Sequence, residues 1–329
     1  MPRIDIEALE DEWEEDDDLR APRTRELSQK ARQRIDQLEA ARVVGVDRGR
    51  ITVLYRGEVV DARLAGTMRG AKAAVGDHVR VRPPSHDDDT PRIVEVLPRT
   101  TVLTRTADDE ADEARVVVAN ADQVVVVLAA DHLKAGTRFL DRVMVSASVG
   151  GLATAMCINR IDLVADRGAV EEVCVRYAAV GVASRVTSAV TEEGIDELRE
   201  LLTGCWSAFT GHSGVGKSAL FNLLVPEAER QVGELGRYGG RHTTTSSRAM
   251  RIPGYDAWLV DTPGVRSFGL GIVEPRELGW HFPELARLPC ELDDCVHDTE
   301  PGCALPAADV HPDRLASYRR LLAALRESA

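Results

Sequence analysis

The sequence predicts a multi-domain chain: a small closed β-barrel, then a doubly wound α/β domain, then a short carboxyl-terminal domain organised by cysteines and ended by a helix. Three observations carry that expectation. Five short alternating segments fall between Val43 and Leu97, strand-like and helix-like stretches alternate from Asp122 onward, and three of the six cysteines crowd into Cys290 to Cys303. A length of 329 residues also exceeds what one hydrophobic core usually fills.

Composition and charge narrow the classes. At 44% hydrophobic and 29% charged residues the chain is an ordinary globular composition. Its longest clean apolar run, Val124 to Ala130, is far short of the roughly 18 to 20 residues that span a bilayer. No membrane association is expected, and the acidic start is unlike a secretory signal, so the expected address is the cytoplasm. The net charge of −13 argues against wholesale nucleic-acid binding until it is divided by region. Residues 1–18 hold ten acids and one base; residues 19–100 hold 17 bases against 11 acids. The acidity is therefore uneven, and one segment is basic. Aromatics, at 4%, are too scarce for base stacking to be a large part of the chemistry.

Residues 1–40 read as an acidic tail followed by a basic arm or short surface helix, because so little apolar surface cannot offset ordering entropy. From 41 to 104 the segments Val43 to Val46, Ile51/Val53/Tyr55, Val59 to Leu64, Val79/Val81 and Ile93 to Leu97 alternate with a period of two. Asp47-Arg48-Gly49, Arg56-Gly57, Gly76-Asp77 and Pro83-Pro84 punctuate them as turns. Five such strands suit a small closed barrel, with SH3-like and OB topologies both open. Its surplus of arginine suits a nucleic-acid surface.

Residues 105–275 form the expected α/β domain. Gln123 to Ala130 and Ala153 to Ile158 read as buried parallel strands, and Ser184 to Ser188 and Trp206 to Thr210 as further strands. Thr137 to Val149, Gly168 to Val180 and Glu193 to Leu202 supply the helices. Ligands of such sheets sit beyond the carboxyl ends of the strands.

At one of those ends stands Gly211-His212-Ser213-Gly214-Val215-Gly216-Lys217-Ser218, between a strand and the helix that Ala219 continues. The pattern is that of a phosphate-binding loop in its required strand–helix context. Gly211 and Gly216 let successive N–H groups face an anion at a helix amino terminus. Lys217, one of only four lysines, supplies a point charge for the β- and γ-phosphates, and Ser218 a hydroxyl for Mg²⁺. Downstream, Asp261-Thr262-Pro263-Gly264 ends an apolar strand: Asp261 would hold Mg²⁺ through water and the Gly264 N–H would read the γ-phosphate. Between them, Gly233 to Ser247 is rich in Gly and Arg and reads as a switch. One hydroxyl of Thr243, Thr244 and Thr245 would complete the Mg²⁺ shell; Thr244 stands as the candidate.

A guanine reader needs a carboxylate that accepts from two ring-edge N–H groups. Asn159-Arg160-Ile161-Asp162, after a buried strand, matches the Asn-Lys-x-Asp box with Asp162 in that role. Ser188-Ala189 would supply the backbone contact for the base carbonyl. These two boxes precede the phosphate loop instead of following it, which is a circular permutation. Residues 276–329 then carry Cys290-x4-Cys295-x-His297-x5-Cys303, three thiolates and one imidazole that complete a closed tetrahedral zinc shell. The helix after it, with Leu315, Tyr318, Leu322 and Leu325 on one face, packs that domain.

Together these motifs resemble the RsgA (YjeQ) family of small ribosomal subunit biogenesis GTPases over roughly residues 40 to 329. The resemblance implies an OB barrel, a circularly permuted P-loop GTPase domain and a small zinc domain. It implies GTP and GDP, Mg²⁺ and one structural Zn²⁺ as cofactors, and a monomer that docks on the 30S subunit late in its maturation. Contacts to 16S rRNA through the barrel and the zinc domain, and release after hydrolysis, are implied as well. Ordinary small GTPases place a glutamine after the DxxG glycine; here Val265 stands there, and the resemblance points to His242 as the water-positioning catalytic group beside Lys217. Arg160 departs from the usual lysine of its box, and the acidic tail lies outside the family core. The alternatives are a non-hydrolytic, GTP-gated rRNA-binding adaptor and a P-loop ATPase.

Overall fold

The structure is a computed structural model and describes residues 29–47, 49–68, 70–84, 90–105, 115–226, 247–262, 270, 273–292, 295–298 and 300–328. Packing divides the chain into residues 1–37 and 38–329. In the first unit the described element is helix α1 (Gln29–Asp36), just over two turns rich in basic residues, where the sequence suggested an arm or a short helix.

The second unit opens with the barrel. Strands β1 (Glu39–Asp47), β2 (Arg50–Tyr55), β3 (Glu58–Leu64), β4 (His78–Arg82) and β5 (Arg92–Val96) pair in the order β1-β2-β3-β5-β4, and β4 closes on β1. The β3–β5 pair is parallel and the others antiparallel. Closure in that order is the five-stranded OB arrangement. Alternation supplies the interior: Val43, Ile51, Val53, Ala62, Val79, Val81 and Ile93 are buried together.

The α/β domain is built on β8 (Gln123–Ala129), β9 (Ala153–Asn159), β10 (Ala183–Val186), β11 (Trp206–Gly211), β12 (Ser247–Arg251) and β13 (Trp258–Asp261). Their order is β10-β9-β8-β11-β13-β12, parallel except for the antiparallel β12. Every residue of β8 is buried, as a central strand covered on both faces requires. Helices α2 (Leu133–Val149) and α3 (Gly168–Ala178) cover one face through Phe139, Leu140, Val170 and Tyr177. On the other, α4 (Ile195–Leu202) and α5 (Lys217–Leu224) bury Leu198, Leu202, Leu220 and Phe221. Doubly wound packing is thus observed. Helix α2 begins one turn before the expected Thr137, because the short 3₁₀ turn Ala130–His132 runs straight into it.

Two features have no counterpart in the sequence reading. A separate antiparallel pair, β6 (Val102–Arg105) and β7 (Arg115–Ala119), lies between barrel and α/β domain. The barrel also joins the α/β sheet: β12 pairs with β1 at Gly45↔Arg248 and Val46↔Ser247, giving one sheet of 11 strands. Arg42 strengthens that junction. Its guanidinium lies 3.3 Å above the Trp206 ring, Trp206 stacks on Trp258 at 4.9 Å, and Arg42 donates to the Asn120 carbonyl. Burial pulls the Arg42 guanidinium down to about 10.

The carboxyl-terminal part holds the 3₁₀ segment Pro275–His281, the cysteine cluster and helix α6 (Pro312–Ser328). Tyr318, Leu321, Leu322 and Leu325 of α6 pack with Leu278, Phe282 and Leu285. Arg314, also on α6, is buried between Asp141 of α2 and Glu284, with Tyr177 donating 2.7 Å to Asp141. Burial opposes the Arg314 charge, but Glu284 and Asp141 outweigh it and hold the guanidinium above its ordinary range. Among the described residues no helix is long and apolar enough to cross a membrane.

Candidate nucleotide site and metal centre

Strands β8, β9 and β11 end side by side, and their carboxyl ends carry the predicted motifs. β11 leads through Gly211 into His212, Ser213, Gly214, Val215 and Gly216, and α5 starts at Lys217, followed by Ser218 and Ala219. Gly214 and Gly216 adopt φ of +85° and +87°. At Gly216 a Cβ would also sit 2.2 Å from the Asn159 amide nitrogen, so the loop can approach β9 this closely only with glycine. His212 packs its ring against Phe139 of α2 at 4.4 Å.

Asn159 ends β9 and is buried. Its amide nitrogen donates 3.0 Å to the Val215 carbonyl of the phosphate loop. Its oxygen accepts from the Ala189 N–H at 3.0 Å and from the Thr187 hydroxyl at 3.3 Å. One side chain therefore ties together the three segments that sequence reasoning had matched separately. Thr187 also hydrogen-bonds at 3.3 Å to Cys157, whose thiol burial pushes up to about 12, so this cysteine stays protonated.

Asp162 follows in the turn Ile161–Leu163, where the Ser188 hydroxyl donates 2.6 Å to one carboxylate oxygen. The same Ser188 oxygen accepts from the N–H groups of Val190 and Thr191 at 3.2 and 3.1 Å. This fixes the carboxylate by a hydroxyl that is itself fixed. Buried Ile161 anchors the turn in the core. Arg160 takes a left-handed φ of 69°, pairs with Asp131 at 3.3 Å and reaches the Gly214 carbonyl at 3.4 Å. The arginine in place of lysine thus spans to the phosphate loop, supported by an acid from the β8–α2 connection. Asp131 carried no sequence signal of its own.

Across the loop, Lys217 is ion-paired with Asp261 at the end of β13. Thr262 donates 2.6 Å to the Phe209 carbonyl, locking the β13 terminus to β11. The hydroxyl of Ser218 and the carboxylate of Asp261 are hard oxygen donors, the set that Mg²⁺ takes. His242, Thr244 and Gly264 lie outside the described residues.

The second centre brings its four predicted residues together. Donor atoms of Cys290, Cys295, His297 and Cys303 all lie within 4.8 Å of one another. The three sulfurs stand 3.4, 3.6 and 3.7 Å from Nδ1 of His297. A tetrahedron with Zn–S of about 2.3 Å and Zn–N of about 2.0–2.1 Å has N···S edges of about 3.5 Å, so the cluster fits zinc. Backbone N–H groups of His297, Ala304 and Leu305 each point at a sulfur from 3.4 Å, which favours thiolates. Gly279 lies against the imidazole face, where a Cβ would come within 3.1 Å of Cδ2. The Tyr318 hydroxyl donates to the Val296 carbonyl, which secures the turn at His297.

A phosphate loop, an acid-ended neighbouring strand and a carboxylate held beside them, carried on strands in permuted order, define a circularly permuted P-loop GTPase. Comparisons agree. A family model described as RsgA GTPase matches residues 96–271. The small ribosomal subunit biogenesis GTPase RsgA of Bacteroides fragilis is 33% identical over 282 residues, covering 81% of this chain and 90% of the relative. Its namesake in Chlorobaculum tepidum is 39% identical over 268 residues, 77% and 86% of the two chains. The crystal structure of YjeQ from Thermotoga maritima superposes with a TM-score of 0.71 at 30% identity, over 87% of this chain and 98% of that one. YloQ, a circularly permuted GTPase, has the same fold, with a TM-score of 0.69 at 23% identity over 90% and 97% of the chains. The chain belongs to the RsgA GTPase family, and with it to the GTP hydrolases.

Proposed function

We propose that this GTPase acts in the maturation of the small ribosomal subunit, binding guanine nucleotide at the carboxyl ends of β8, β9 and β11. The observation that carries the reading is the Asn159 staple: it joins the phosphate loop to the Thr187–Ala189 segment, whose Ser188 in turn holds Asp162. Asp162 would accept from both guanine edge donors, with Ser188 holding the carboxylate. The Ala189 N–H, now bonded to Asn159, lies beside that carboxylate and would serve the base carbonyl. Arg160 would cover the base from the phosphate-loop side.

Lys217 now neutralises Asp261. Incoming phosphates compete for the ammonium, and the released carboxylate, with Ser218 and a hydroxyl of the Thr243–Thr245 run, would hold Mg²⁺, which supplies charge neutralisation at the β- and γ-oxygens. The N–H groups at the start of α5 and of Gly264 receive the remaining phosphate charge. Val265 has no group to orient water, and the resemblance to the family points to His242 for that role. Intrinsic turnover is slow and rises when the partner binds. The partner is the 30S subunit, the assembly for which the bacterial relatives are named, engaged through 16S rRNA by the barrel and the zinc domain. The zinc centre is structural: four protein donors leave no open position. The protein acts as a cytoplasmic monomer.

Competition binding of GTP, ATP and XTP to the parent and to Asp162→Asn tests the base assignment. The parent should prefer GTP, and the variant should lose at least about 100-fold in GTP affinity, since hydrogen bonds to a charged acceptor are worth about 1.5–3 kcal/mol each. Equal affinity for ATP and GTP in the parent would refute it.

A further inference from the structure

Helix α2 has a second chemical face that the nucleotide site does not use. Among its 17 residues the single acid, Asp141, is buried and paired with Arg314. Its three bases, Lys134, Arg138 and Arg142, recur every fourth position, with Lys134 and Arg138 exposed and Arg142 half-buried. At 1.5 Å rise per residue they form a ridge about 12 Å long. Among the described residues no carboxylate is ion-paired with any of the three, although the chain has 54 acids. Like charges at this spacing weaken a helix, so the stripe is a local cost without an internal counter-ion.

Helix α6 extends the ridge. Arg320 is exposed and bonds only the Ser317 hydroxyl, at 2.6 Å, among the described residues. Burial pulls its guanidinium below the ordinary range; Asp141 opposes this, and nearby Arg138 and Arg142 add to it. Two helices thus bring together four cations, none of them ion-paired with a carboxylate among the described residues.

We propose that the ridge of Lys134, Arg138, Arg142 and Arg320, on α2 of the α/β domain and on the carboxyl-terminal helix α6, is a contact for the phosphodiester backbone of RNA, separate from the barrel and from the cysteine cluster. Guanidinium forks donate to phosphate oxygens in pairs, and a polyanion supplies at once the counter-charge that the helix lacks. In line with the ridge the one exposed large apolar side chain of α2 is Val149, at 37% exposure, and a single valine is less apolar surface than a membrane-inserting helix face presents. The inference rests on the ribosomal reading only for the identity of the RNA as rRNA.

The test uses the full-length protein, its Lys134→Gln/Arg138→Gln/Arg142→Gln variant and an Arg138→Lys/Arg142→Lys variant. Binding to purified 30S subunits and to a plain 20-base-pair RNA duplex is measured from 50 to 300 mM salt. In the glutamine variant the slope of log K against log salt should fall by about 2 to 3 on both probes, one unit per lost phosphate contact. The lysine variant should keep the parent slope. Basal GTP hydrolysis and the melting temperature should not fall in either. Parent-like slopes on both probes in the glutamine variant would overturn the inference while leaving the ribosomal reading intact. Loss on the subunit but not on the duplex would also overturn it, in favour of an acidic protein contact. A parent that binds the duplex with the full slope but ignores the subunit would refute the ribosomal reading and keep the ridge. A parent that binds neither refutes both.

Discussion

Replacing Asn159 by alanine probes the pocket where the geometry is most demanding. The side chain makes three hydrogen bonds, to the Val215 carbonyl and from the Ala189 N–H at 3.0 Å each, and from Thr187 at 3.3 Å. Asn159 is 1% exposed, so water cannot replace them without rearrangement. Two backbone groups left unpaired in a buried site cost about 1–3 kcal/mol each, a destabilisation of roughly 2–6 kcal/mol. For a chain of this size, that lowers the melting temperature by about 5 to 15 °C. Affinity for GDP should fall together with stability, because the same bonds hold the phosphate loop against β9. Thr187→Val removes the longest of the three bonds together with the weak contact to Cys157 and should cost about 1 kcal/mol. Thermal melting and fluorescent-GDP titration of the three proteins decide the matter. If Asn159→Ala melts within 2 °C of the parent and binds GDP equally well, the staple is not what organises the site.

Two further outcomes follow from the carboxyl-terminal part. The purified protein should contain one zinc per chain, and Cys295→Ala should lose it with a lowered melting temperature, as atomic emission and calorimetry would show; full zinc in the variant contradicts the four-donor assignment. Arg314→Met should destabilise by about 3–5 kcal/mol, because it leaves Asp141 and Glu284 as buried, uncompensated charges. Urea unfolding measures it, and a change below 1 kcal/mol would show that the triad is solvated.

Legibility in the sequence followed distance along the chain. The phosphate loop and the zinc ligands are contiguous motifs, and the structure brings both sets together. Barrel strands announced themselves because one face of each is buried, which imposes a period of two on Val43, Ile51, Val53, Val79 and Val81. The OB order of pairing needed the β1–β4 closure, which no local pattern specifies. Asn159 was read as one letter of a base-recognition box, but its bond to Val215 spans 56 positions and has no local signature. The Asp141–Arg314 pair, 173 positions apart, and the β1–β12 junction were hidden for the same reason. Strand β12 was also masked by its composition: Ser-Arg-Ala-Met-Arg has little β-propensity, and it is held between β13 and β1 by pairing on both edges.

The central claim is that this fold is a GTPase whose turnover depends on the small ribosomal subunit. Single-turnover and steady-state GTP hydrolysis, with and without purified 30S subunits, test it most directly. The expected result is a slow intrinsic rate raised at least tenfold by the subunit and abolished by Lys217→Ala. A rate that the subunit leaves unchanged would contradict the account.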